Sequence, residues 1–175
     1  MAKGIIRDKT VVITFDDGFA SLSDFAFPVL RNFGFPATVF LPFNYIGGID
    51  AFSYDKPRPD MPVLGWADIE DSTKYGIVYG SHTMSHRNLV ELDDAALRFE
   101  LSESKNILKR RLGLDFYALA YPFGMFDERV KQVVRDGGYN CALCFGNILS
   151  NTKSTDILEM KREKILNSTS LDNFA

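Results

Sequence analysis

Short apolar runs alternate along this chain with longer segments in which apolar residues recur every three or four positions. The runs are rich in β-branched and aromatic residues, a composition that predicts buried β-strands. Five strands are expected, at residues 10–15, 37–41, 76–80, 116–120 and 139–145, and a last strand is a weaker candidate at residues 159–165.

The segments between these runs have the spacing of amphipathic helices. We expect helices at residues 19–33, 64–74, 93–112 and 126–136. In the clearest, 93–112, the segment Leu92-Asp93-Asp94 supplies the cap and Gly113 ends the helix. Pro28 is expected to kink the first helix or to mark the start of its regular part. Residues 42–62 have no clear period and are expected to form a long loop, of the kind that often shapes a binding site.

Alternating strands and helices predict an α/β fold built on a parallel sheet. A chain of 175 residues fits a single domain spanning residues 1–175. A complete eight-unit (β/α) barrel usually needs about 250 residues. The expected architecture is therefore a distorted or incomplete (β/α) barrel with a parallel β core.

Composition narrows the range of partners. The net charge of −3 provides no basic surface for nucleic acid, and no apolar run is long enough to cross a bilayer. Residues 1–9 lack the apolar core of a secretory signal. We therefore expect a cytoplasmic protein, or an exported one whose signal has been removed. The sequence does not indicate an oligomeric state.

Two adjacent carboxylates, Asp16 and Asp17, stand where the first predicted strand ends, and Gly18 allows the chain to turn there. Adjacent carboxylates repel each other at neutral pH, so a close pair needs a cation, a shared proton or full solvation.

The only two histidines in the chain, His82 and His86, follow the third predicted strand. On a helical turn, positions i and i+4 share a face, so both imidazoles can reach one ion. One carboxylate and two imidazoles form a metal site with open positions, the arrangement that hydrolytic zinc enzymes use. Zn²⁺ suits this set, and other divalent ions fit it as well. The alternative is a pair of solvated or helix-capping histidines.

Three motifs in this order resemble the polysaccharide deacetylases, the NodB-homology or carbohydrate esterase family 4 group. They are TFDDG at residues 14–18, SHTMSH at residues 81–86 and AYPFG at residues 120–124, and the resemblance covers residues 11–139. It implies a NodB-like distorted barrel with seven strands or fewer.

The resemblance also implies roles for individual residues. Asp17, His82 and His86 would bind the divalent metal, and Asp16 would be the catalytic base. The backbone N–H of Phe123 would help to bind the oxyanion, a role that tolerates any side chain. The alternatives are that Asp16 is a second metal ligand or a strand-end cap, and that Phe123 belongs to an ordinary turn.

The implied function is metal-dependent hydrolysis of N-acetyl groups on amino sugars in a polysaccharide or oligosaccharide. An N-acetylated glycan is therefore the expected partner. Candidate substrate contacts are Tyr121, Pro122 and Trp66, because sugar rings stack on aromatic faces, although most aromatic residues belong to the core.

Three other functions remain open. The first is an O-acetyl polysaccharide esterase, and the second is a catalytically weak glycan-binding homologue. The third is a non-haem iron oxygenase, which also uses two histidines and a carboxylate, although such sites usually lie on all-β folds.

The chain departs from the family pattern in two places. Ala120 occupies the position where the family often has an arginine that holds the base. No third histidine can act as general acid toward the leaving amine. Three explanations are open: the acid lies outside residues 1–175, Asp16 serves as base and then as acid, or the domain is weakly active or inactive.

Cys141 and Cys144 form a C-x-x-C motif, which alone is a weak zinc or redox signal. On a strand, this spacing separates the two residues by about 10 Å, too far for a disulfide. We expect buried free thiols.

Overall fold

The computed structural model of the protein describes residues 10–53, 58–146, 151–166 and 168–170. The chain divides into two compact units. The first comprises Met1–Leu41 and Tyr45–Tyr79, and the second comprises Pro42–Asn44 and Gly80–Ala175. The single domain expected from chain length stays a prediction.

In the first unit, parallel strands β1 and β2 lie beside short helices. Its elements are β1 (Ile13–Phe15), a π-helix (Leu22–Ala26), α1 (Phe27–Phe33), β2 (Ala37–Leu41), β3 (Ile49–Asp50), β4 (Arg58–Pro62), α2 (Trp66–Ser72) and a 3₁₀ turn (Thr73–Tyr75). Ile13 pairs with Ala37 and Phe15 with Val39. The last three residues of β2 are almost fully buried, as expected for a strand covered on both faces.

Parts of this unit differ from the expectation. The first strand is shorter than predicted, since Val11 and Val12 precede it and are exposed. The predicted loop at 42–62 contains β3 and β4, which pair antiparallel. Pro28 does mark the start of regular helix, because α1 begins at Phe27 after a π-helical segment.

The second unit contains the longest helix. Its elements are a 3₁₀ turn (Leu89–Glu91), α3 (Asp94–Leu112), β6 (Ala118–Ala120), a 3₁₀ turn (Pro122–Gly124), α4 (Glu128–Asp136), β7 (Cys141–Phe145) and β8 (Met160–Arg162). The predicted caps of α3 are present: the Asp93 side chain accepts a hydrogen bond from the amide of Ala96, and Gly113 is left-handed. Their favourable local geometry explains why this helix was the clearest in the sequence.

Strand β5 (Ile77–Ser81) contributes residues to both units. In the part of the chain that the structure describes, six strands form one sheet in the order β1-β2-β5-β6-β7-β8, and β3 and β4 form a separate pair. The pairs β1–β2, β5–β6, β6–β7 and β7–β8 are parallel. This topology confirms the expected α/β fold with a parallel core, and the sheet within the described residues has fewer strands than a full barrel.

Both cysteines are free: Cys144 is buried and Cys141 is half-buried. Burial raises the pKa of Cys141 to about 11. The prediction of buried free thiols is therefore confirmed for Cys144, whereas Cys141 is free but only partly buried. Among the described residues, no helix is both long enough and apolar enough to span a membrane.

Candidate metal centre

The two aspartates lie in a tight turn at the end of β1. Gly18 donates its amide to the carbonyl of Asp16 at 2.8 Å, and both Asp17 and Gly18 have left-handed backbones, with φ of 69° and 62°. A Cβ atom on Gly18 would lie 2.5 Å from Leu41 Cδ2. Glycine is therefore favoured both by the backbone angle and by the limited space beside Leu41.

Residues at the end of β4 and just after it form backbone hydrogen bonds with the residues that follow this turn. The amide of Leu64 donates to the carbonyl of Gly18, and the amide of Ala20 donates to that of Pro62, each at 2.8 Å. These bonds fix the chain on both sides of the turn and so limit the freedom of the adjacent carboxylates.

An aromatic group lies next to the aspartate turn in the first unit. The rings of Phe19 and Phe52 stack at 6.2 Å, and Tyr45 tilts against Phe52 at 4.7 Å. The Arg58 guanidinium lies 5.1 Å from the Phe19 ring centre and binds buried Asp50. Burial opposes ionisation of Asp50, but hydrogen bonds from Ser53 and Arg58 outweigh it and lower its pKa. Trp66, a predicted substrate contact, begins α2 and is half-buried.

The histidine segment, residues 82–86, follows β5 in the second unit. His82 is 2% exposed and His86 is 9% exposed, so neither is a solvated surface residue. The expected helical turn is wrong: Thr83 and His86 have left-handed backbones, with φ of 69° and 55°. This irregular turn brings the two Nε2 atoms to 3.2 Å from each other.

Several hydrogen bonds maintain this turn. The amide of Thr83 donates to Ser81 Oγ and the amide of His86 donates to Thr83 Oγ1, both at 3.0 Å. The carbonyls of Thr83 and Met84 accept from the amides of Phe43 and Asn44. Left-handed backbones are costly for residues other than glycine, and this network offsets the cost.

The orientation of His82 is set by a backbone group that sequence analysis did not identify. His82 Nδ1 lies 2.8 Å from the carbonyl oxygen of Ala120. A carbonyl can only accept, so Nδ1 carries the proton and Nε2 keeps its lone pair, the state that binds a metal. A backbone acceptor leaves no residue-type signal in a sequence.

The third motif forms the 3₁₀ turn at Pro122–Gly124. Phe123 has a left-handed backbone, with φ of 59° and ψ of 6°, and its ring meets that of His86 edge-on at 4.8 Å. A Cβ on Gly124 would lie 3.0 Å from Phe145 Cδ2, so a larger residue would strain the turn. The backbone of Phe123 therefore lies in a well-defined conformation next to His86.

Tyr121 and Pro122 are buried, unlike Trp66, the other predicted substrate contact. The Tyr121 hydroxyl donates to the carbonyl of Leu158 at 3.0 Å, and its ring stacks on Phe126. Burial raises the pKa of Tyr121. If these two residues contact the substrate, they do so through backbone atoms. Their role in substrate binding stays a prediction.

The buried histidine turn of the second unit presents two metal-ligand atoms, His82 Nε2 and His86 Nε2. These two nitrogens lie 3.2 Å apart. A zinc ion bound at about 2.0–2.2 Å brings its ligand atoms within about 4 Å of each other. The two imidazoles therefore fit one shared divalent cation, and Asp17 stays the predicted third ligand.

Comparison with known proteins agrees with the motifs. A family model described as polysaccharide deacetylase matches residues 3–142. The chain is 29% identical over 143 residues to the poly-beta-1,6-N-acetyl-D-glucosamine N-deacetylase of Staphylococcus epidermidis, a match that covers 77% of this chain and 48% of that protein. The chain spans about half the length of the curated relatives it matches, 43% and 48% in two cases.

Solved structures share the fold. The deacetylase PplD of Streptococcus pyogenes, in complex with acetate, superposes with a TM-score of 0.81 and 22% identity over 99% of this chain and 72% of its own. A polysaccharide deacetylase from Bacillus cereus gives a TM-score of 0.79 and 25% identity over 95% of this chain and 50% of its own.

Proposed function

The chain belongs to the polysaccharide deacetylase family, and we propose that it hydrolyses N-acetyl groups of amino sugars in a polysaccharide or oligosaccharide, with a divalent metal. The observation that carries this proposal is the approach of the buried His82 and His86 Nε2 atoms to 3.2 Å. The name of the Staphylococcus epidermidis relative favours an N-acetylated glucosamine polymer as the substrate class.

We assign the metal to Asp17, His82 and His86, with Zn²⁺ as the ion that this donor set suits best. A bound divalent ion would polarise the acetyl carbonyl and lower the pKa of a water molecule. The carbonyl of Ala120 accepts a hydrogen bond from His82 Nδ1 and so keeps the proton on that nitrogen. The lone pair of His82 Nε2 is therefore available to bind the metal. The 9% exposure of His86 leaves its ring largely shielded from competing water.

Asp16 is the proposed base. It precedes Asp17 in a turn whose backbone is fixed by Gly18, so its position relative to the ligand Asp17 is restricted. Asp16 would accept a proton as a water oxygen adds to the acetyl carbon. The C–N bond then breaks, acetate leaves, and the amine takes up a proton.

The amide of Phe123 is the proposed oxyanion donor. The left-handed backbone of this residue and the close packing of Gly124 give the turn little freedom. A donor held in this way stabilises developing charge without reorganising during the reaction. We propose that the half-buried side chains of Trp66, Phe19 and Tyr45 supply apolar surface for sugar rings.

Acetate release tests this function. The protein is incubated with Zn²⁺ and a panel of N-acetylated and O-acetylated oligosaccharides of matched length. Release from N-acetylated glucosamine oligomers supports the proposal. Release from O-acetylated sugars alone identifies an esterase, and glycan binding without release from either identifies a binding homologue.

A further inference from the structure

Helix α3 carries Glu100, whose buried carboxylate contacts the histidine segment. Glu100 is 6% exposed, whereas Phe99 on the same helix is exposed and the Glu103 side chain is 36% exposed. Its Oε2 atom accepts hydrogen bonds from the amides of Met84 at 2.8 Å and Ser85 at 2.9 Å. Its Oε1 atom accepts from the Ser85 hydroxyl.

We infer that Glu100 is a positioning residue that sets the turn between His82 and His86 and so holds the metal-binding geometry. The inference rests on the proposed function in one respect, the use of these two histidines as ligands. All three donors to the carboxylate belong to the two central residues of the turn, which lie between the histidines.

The turn needs such support because of its backbone. Thr83 and His86 are both left-handed, and they flank Met84 and Ser85. Two successive amides that point to one side form a concave donor pair, which an anion stabilises. Without an acceptor, these amides would be buried donors without partners, and the chain would gain by relaxing to another conformation.

The Glu100 carboxylate can be buried at low cost only while the turn between His82 and His86 donates hydrogen bonds to it. A buried charge is costly unless it is hydrogen-bonded, and charge-assisted bonds are about twice as strong as neutral ones. The carboxylate and the turn therefore stabilise each other. If the turn relaxed, the 3.2 Å approach of the two Nε2 atoms would be lost with it.

The test uses Glu100→Ala and Glu100→Gln, with Glu103→Ala as the matched control on the exposed side of α3. Amide hydrogen exchange at Met84 and Ser85 is measured by NMR, and the Zn²⁺ dissociation constant is measured by competition with a chromophoric chelator. Glutamine keeps an oxygen that can accept both amides but loses the charge, so it separates hydrogen bonding from charge.

We expect Glu100→Ala to speed exchange at both amides by about 10–100-fold, since bonds to a charged acceptor are lost, and to weaken Zn²⁺ binding by about 10–100-fold. Glu100→Gln should fall between this variant and the wild type, and Glu103→Ala should match the wild type. If Glu100→Ala does not fold, Glu100→Gln decides alone.

Wild-type exchange and wild-type Zn²⁺ affinity in the folded Glu100 variants would overturn the inference. A wild-type protein that binds no Zn²⁺ would instead contradict the proposed function. In that case the exchange rates still decide whether Glu100 sets the turn.

Discussion

His82 Nδ1 donates to the carbonyl oxygen of Ala120 across 2.8 Å, from the end of β5 to the end of β6. Ser81 and Leu119 are paired in these neighbouring parallel strands, so the sheet register itself brings the two groups together. The tautomer of a metal ligand is thus fixed by backbone geometry. Substitution of Ala120 would leave this carbonyl in place.

Removing either histidine should abolish stable metal binding. His82→Ala or His86→Ala takes away one of three protein ligands. Affinity should fall by more than the roughly 10–100-fold that loss of an outer hydrogen-bond partner causes. Elemental analysis of purified protein measures the effect, with Glu103→Ala as the control. Full zinc occupancy in both histidine variants would show that the site is built from other residues.

Substitution of the two adjacent aspartates should have different effects, because Asp16 is the proposed base and Asp17 is a proposed metal ligand. Asp16→Asn should retain zinc and lose about 10²–10⁴-fold in kcat, the contribution of a positioned base. Asp17→Asn should lose zinc affinity as well as turnover. Both variants are isosteric, so the fixed turn at Gly18 should persist. Near-normal turnover by Asp16→Asn would mean that another group takes the proton.

Protonation and departure of the leaving amine should be the slow step of the reaction. The chain has only two histidines, and both are assigned to metal, so no histidine is left to protonate the amine. We expect kcat on an N-acetylated sugar to be far lower than on an activated acetate ester, whose leaving group needs no proton. Comparably fast turnover of both substrates would reveal an acid that is not yet identified.

The cysteines should be slow to react in the folded protein. Burial raises the pKa of Cys141 to about 11, so about one thiol in a thousand is ionised at pH 8. An ordinary cysteine is about one-quarter ionised at that pH. A disulfide-exchange reagent should label both thiols in urea and react about 100-fold more slowly without it. The rate for Cys141 should rise with pH toward 11, and rapid labelling at pH 8 would contradict the burial.

Local signals in the sequence were sufficient for some elements. Ala37–Leu41 was predicted with its observed bounds because a continuous apolar run suits a strand buried on both faces. Helix α3 followed from its cap residues and its apolar stripe. In both cases the residues near in sequence largely determine the conformation.

Other features depend on contacts that are distant in sequence. The segment from His82 to His86 was expected to be helical, but left-handed Thr83 and His86 are stabilised by groups on other elements. Phe25, Val29 and Phe33 have helical spacing, yet all three are exposed. Glu100 did leave a signal, because it interrupts the buried face formed by Leu97, Leu101 and Leu108. A charged residue at such a position indicates a buried polar partner.

Acetate release from an N-acetylated glucosamine oligomer, followed through removal and return of metal, tests metal-dependent deacetylation most directly. The protein is assayed as purified, after chelation and dialysis, and after addition of one equivalent of Zn²⁺, in parallel with Asp17→Asn. We predict that chelation abolishes acetate release, that Zn²⁺ restores it in the wild type, and that Asp17→Asn stays inactive at one equivalent. Undiminished release from the metal-free protein would contradict the proposed mechanism.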